Sequence, residues 1–84
     1  MTHVTTYAEL LNALAVVRDR ANADGLPSHM RAVRMWRATD ALWNDEYATW
    51  EALTKLGHHR AADCAWKRRT VYSDLAILLL KGAV

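Results

Sequence analysis

Glu46 and Arg69 are the first residues of this chain that invite a chemical reading. Each is a lone charge in an otherwise apolar helical stripe, and buried ionisable groups concentrate at active sites. Catalysis would require a second acid, a nucleophile or a metal ligand within a turn on the same face, and none falls there. The pair is expected instead to be a structural ion pair that sets helical register. Such a pair adds little net stability, yet loss of one partner is costly. His58, His59, Asp63 and Cys64 form a second cluster. His59 and Asp63 are four residues apart, on one helix face, but two ligands make half a structural zinc site, which wants four. His3 and His29 have no spacing that reaches them. Cys64 is the sole cysteine. No Gly-rich loop or strand-to-helix elbow accompanies it to supply an oxyanion hole or phosphate cradle, so it is expected to be a small apolar filler. No catalytic residue, metal or cofactor is assigned, and the expectation is a protein that is not an enzyme.

Arginines carry a different signal. Arg31, Arg34 and Arg37 stand near the start of the second predicted helix, where the macrodipole disfavours positive charge. A turn at Gly25 folds Arg18 and Arg20 toward the same end, beside His29, giving a five-arginine elbow diluted by Asp19 and Asp24. Guanidinium forks suit phosphate or carboxylate oxygens, so nucleic acid and an acidic protein are both candidate partners. The outline of helix, Gly turn and helix faintly resembles a helix-turn-helix reader. Both helices are too long for one, however, and no supporting helix lies upstream. The plain alternative is a solvated or structural face, in which the Val84 carboxylate and the last carbonyls of helix 3 lie beside Arg31 and Asp40 balances Arg37.

Leu75 to Leu80 is apolar around its whole circumference, and a helix of that kind is buried all round. Tyr72 and Leu79 are expected to face helix 2, and Val71, Leu75 and Leu78 to face helix 1. Trp66, Ile77 and Leu80 are then left with no intrachain partner. A contiguous apolar patch marks an interface, so this stripe is expected to join two copies of helix 3 in a homodimer or to meet a larger protein. Rivals are scattered exposure and docking on a membrane surface led by Lys67, Arg68 and Arg69, which is set aside.

The elements that must position these residues are legible. Trp36, Trp43 and Trp50 recur at heptad spacing. If an antiparallel partner helix pairs residues whose numbers sum to 115, Trp50 meets Ala65, Trp43 meets Tyr72, Trp36 meets Leu79 and Glu46 meets Arg69. Large then faces small and acid faces base, the consistency expected of a sequence that specifies one structure. Residues 40–56 hold four acids and one Lys, and residues 58–70 hold four bases and one Asp, so a hairpin sets opposite charges side by side. Thr6 and Glu9 form a capping box. Behind it Tyr7, Leu10, Leu11, Leu14, Val17 and Ala21 share one face, and Asp24-Gly25-Leu26-Pro27 ends the helix. Ser28 is placed to cap helix 2, which runs unbroken to Leu56, about 42 Å. Gly57 stops it. The third helix offers Ala61, Ala62, Ala65, Arg69, Tyr72, Ala76 and Leu79 to its neighbour. The fold class is all-α: a three-helix bundle built on a long antiparallel hairpin, with helices at about 7–23, 29–56 and 60–81.

Composition sets the outer bounds. Eighty-four residues, 52% hydrophobic and 24% charged with a net charge of +2, suit a single helical domain over 1–84. The lone cysteine and the absence of a basic, then apolar, leader in MTHVTTYAEL point to a cytoplasmic protein. The function expected is that of a small helical interaction module, homodimeric, that binds and modulates or inhibits a larger protein. A nucleic-acid binder using the arginine elbow is the alternative.

Overall fold

In a computed structural model of the chain, in which residues 4–23, 25 and 28–82 are described, three α-helices follow one another. They are α1 (Tyr7–Ala23), α2 (Arg31–Lys55) and α3 (His59–Leu80), with a 3-10 turn, Ser28–Met30, ahead of α2. The described residues contain no strand. The all-helical bundle and its long hairpin match the sequence expectation, with helix ends displaced by two residues at most.

The local signals explain the ends. The Thr6 amide donates to Glu9 Oε1 at 3.0 Å and the Glu9 amide to Thr6 Oγ1 at 3.2 Å, a complete capping box. Gly57 takes the left-handed conformation at φ +79. Its amide donates to the Thr54 carbonyl at 3.1 Å and that of His58 to the Leu53 carbonyl at 2.9 Å, the paired bonds of a Schellman turn. Helix α2 departs from expectation at its start. The 3-10 turn places Met30 at the N-cap, with no side-chain cap, so the α-helix begins after the position at which Ser28 was expected to cap it. Gly25 has φ +69, as a helix-ending residue should, whereas Asp24, Leu26 and Pro27 lie outside the described residues.

Helices α2 and α3 pack along their length, and α1 lies against both. Ala62 and Ala65 are buried and Ala76 half-buried, which lets the two backbones approach, but Ala61 is exposed rather than part of the seam. Thr39 is buried there too and its hydroxyl donates back to the Met35 carbonyl at 2.7 Å. On α1 the inward line is Ala13, Val17 and Ala21, with Leu10 and Leu14 beside it. Tyr7, 76% exposed, and Leu11 point outward, against expectation. Small residues recurring every four positions let α1 sink between the long helices, and that rotation turns residues 7 and 11 to solvent. The Thr5 hydroxyl donates to the Asp74 carboxylate, tying the segment before α1 to α3.

The common core is Val17, Ala38, Met35, Val71, Tyr72 and Leu75, with Ala13 and Ala21. Its largest fully buried side chains are Leu75, Val17 and Thr39. None of the four tryptophans is fully buried. The molecule is a slab of 44 × 25 × 17 Å, its length set by α2 and its thinness by α1 covering one side of the hairpin only.

Tyr72 ties this core to pH. Burial, and after it the Glu46 carboxylate, raises the Tyr72 hydroxyl above its ordinary value of 10.0, with Arg68 opposing. The folded chain therefore holds this proton more tightly than the unfolded chain. Its contribution is intact below the ordinary value of 10.0 and is lost as pH rises through the folded value. Urea midpoints should fall as pH rises above 10.0, and Tyr72→Phe should lack this component of the fall.

Candidate interaction surface

Trp36, Trp43 and Trp50 form one edge of α2, on the side of the hairpin away from α1. Seven-residue spacing keeps them in line, and Tyr47 falls between the last two because positions three and four apart are neighbours on a helix. Trp43 and Tyr47 stack at 5.7 Å with an interplanar angle of 10°. Tyr47 meets Trp50 at 5.6 Å. Trp50 crosses to α3, meeting Trp66 at 5.0 Å. The Trp43 indole donates to Ser73 Oγ at 2.8 Å. Trp43 and Trp50 thus each contact a residue one position later than the expected register places them.

This ring cluster encloses the Arg69 guanidinium, which lies 3.9 Å from the Trp66 ring centroid, 4.8 Å from that of Trp43 and 5.7 Å from that of Tyr47. The expected Glu46–Arg69 pair is replaced: Glu46 Oε1 accepts from Arg68 Nε at 2.9 Å. A helical seam has two edges. Arg68 reaches Glu46 from one, while Arg69 turns to the other, where three ring faces attract its charge. Glu46 Oε2 and Arg69 Nε are both buried without a hydrogen-bond partner, so the rings are the favourable surroundings that Arg69 has.

Toward the open end of the hairpin the surface stays bare. Trp36 is 42% exposed, Ile77 49% and Leu80 72%, and Val33 is exposed beside them. A cleft of about 570 Å³ is lined by Arg31, Val33, Met35, Trp36, Arg37, Leu79 and Leu80, among others. It shares Trp36 and Leu80 with a second cleft of about 380 Å³ that continues along the helices to Trp43, Ser73 and Ile77. Ile77 and Leu80 therefore belong to this groove, but Trp66 does not share their lack of partners, since Trp50 and Arg69 half-bury it. Trp36 and Val33 were missed by sequence reasoning. The expected register sets Trp36 against Leu79, and both line the cleft where the arms of the hairpin end. Periodicity assigns a face to a residue without saying whether anything covers it.

The arginine elbow divides. Arg34 donates from Nη2 to the Ala21 carbonyl at 3.2 Å and to Asn22 Oδ1 at 3.0 Å, with Nε 3.4 Å from the same carbonyl. It caps the C-terminal turn of α1, where positive charge is favoured. That explains an arginine misplaced for its own helix. Arg20 pairs with Asp45 at 3.5 Å. Arg18, Arg31 and Arg37 are exposed, and Arg31 and Arg37 border the larger cleft. Asp40 accepts from Asn44 at 3.4 Å rather than balancing Arg37, and Val84 lies outside the described residues. Cys64 is exposed, not a filler. Among the described residues no three His, Cys, Asp or Glu side chains gather as a metal site would require, and no helix is long and apolar enough to cross a membrane.

No protein-family model, characterised protein or solved structure matches the chain, and the functional reading rests on this surface.

The two neighbouring arginines differ in what they do. Arg69→Ala empties a space between three rings and should cost about 2–4 kcal/mol. Arg68→Ala breaks a pair whose arginine is half-exposed and should cost about 1 kcal/mol. Urea unfolding of the two variants checks the difference; equal costs would contradict the assignment.

Proposed function

We propose that the chain is a non-enzymatic helical interaction module that binds and modulates or inhibits a larger protein, with the groove face as its working surface. The observation that supports this is the placement of Trp36, Ile77 and Leu80, large apolar side chains left exposed together along one groove. Contiguous apolar surface of this kind is the signature of a contact site. In the free protein a second copy covers the face, making a homodimer, and the larger partner takes that copy's place. Burying such side chains is worth roughly 1.5–3 kcal/mol each, and a two-fold arrangement counts each of them twice. A cytoplasmic setting fits the free thiol of Cys64.

A nucleic-acid reading has one observation in its favour: Arg18, Arg31 and Arg37 are exposed near one end. Arg34 and Arg20, however, are engaged within the fold. If the remaining arginines contact phosphates, changing Arg31 and Arg37 to Gln should lower the log–log salt slope by about two units. No binding to duplex DNA or RNA at low salt ends that reading.

Sedimentation equilibrium tests the assembly. The wild-type chain should be dimeric at micromolar concentration. Ile77→Asp should be monomeric with unchanged helicity, because residue 77 lies outside the shared core. A wild-type monomer at every concentration would remove the second copy and leave a different protein as the occupant.

A further inference from the structure

We infer that the segment of the larger protein seated in this groove is an acidic amphipathic helix of about three turns, an inference that rests on the interaction reading above. The groove has the shape for it. Its two clefts run from Arg31 to Trp43 along α2 and are lined by α2, α3 and the turn that ends α3, a span of about 18 Å. An amphipathic helix laid in such a groove places apolar anchors at i, i+3 or i+4, and i+7. Val33, Trp36, Ile77 and Leu80 offer surface for those anchors.

The charge of the rim selects the sign of the helix. Arg31 and Arg37 border the larger cleft, and no acid among the described residues lines it. Neither arginine has a side-chain hydrogen bond or ion pair among the described residues, whereas Arg20, Arg34 and Arg68 all do. Helix α2 begins at this same end with no acid in its first turn and no side-chain cap. The positive end of its dipole is opposed there by the C-terminal end of α3, which lines the same cleft, so the two guanidinium groups set the sign of the rim. Asp40 lines the second cleft only, and Asn44 already holds its carboxylate. A ligand helix with carboxylates flanking its apolar stripe meets complementary charge; one with lysines there meets repulsion. A cleft walled by side chains of both α2 and α3 favours a helix over a flat lipid surface, and its largely apolar lining favours neither phosphate nor sugar.

The test uses two dye-labelled synthetic peptides with the same leucine anchors, one carrying Glu and the other Lys at all remaining positions. Fluorescence anisotropy with the full chain should show the Glu peptide binding at least about tenfold more tightly, the equivalent of two rim contacts of ordinary strength. Arg31→Glu combined with Arg37→Glu should invert that order. Leu80→Asp, at a site 72% exposed and therefore harmless to folding, should abolish binding of both peptides, and Leu11→Asp on the far side of α1 should change nothing. Equal affinity for the two peptides overturns the inference, as does binding that survives Leu80→Asp. Failure of both peptides while phosphatidylserine vesicles bind through Leu80 overturns it in favour of a lipid surface. Failure of both peptides while Ile77→Asp still dissociates a dimer overturns it too, but leaves the interaction reading standing with the second copy as sole occupant.

Discussion

Gly57 reverses the chain through a left-handed residue, and the two long helices on either side of it pack antiparallel along their length. Everything else in the molecule is arranged around that pairing. Alanines at 62 and 65 let the backbones close, and α1 fills the furrow on one side with its own small residues. One short helix cannot cover both sides of a hairpin built from 25- and 22-residue helices. The uncovered side is therefore a consequence of the architecture, and the side chains found there are the largest in the sequence.

The aromatic cluster shows how the uncovered side holds its shape without burial from above. Trp43 is fixed by a hydrogen bond to Ser73, Trp50 by its contact with Trp66, and Arg69 by rings on both helices. A guanidinium over ring faces keeps part of its favourable electrostatics when a carboxylate is not opposite it. At this end the surface is braced by its own contacts. At the other end Trp36 borders a cleft and is 42% exposed, and the division between a braced half and a barer half falls along a single face.

What the sequence disclosed was what local chemistry decides. Thr6 and Glu9 announced a helix start because both bonds of the capping box lie within four residues. Gly57 announced a reversal because few other residues tolerate its φ, and heptad tryptophans announced one helix edge. The failures share a cause. Arg34 caps another helix 13 residues away, so its role depends on how two elements meet and leaves no periodic trace. Glu46 selects Arg68 over Arg69 because a seam has two edges, a distinction finer than a pairing rule resolves. Trp50 and Arg69, the partners of Trp66, escape a reading of one helix face, because coverage is decided by how the helices meet.

The modest interior has a thermodynamic consequence. A leucine, a valine and a threonine are the largest side chains wholly withdrawn from water, and all four tryptophans keep part of their surface in contact with solvent. A ligand that occupies the native surface and has no affinity for the unfolded chain adds RT ln(1 + [L]/Kd) to the unfolding free energy. In a small chain, with only a few kcal/mol separating folded from unfolded, that increment is a large share of the total. Occupancy of the groove and persistence of the folded chain are thus one coupled equilibrium, in which the unoccupied form is the one most exposed to proteolysis.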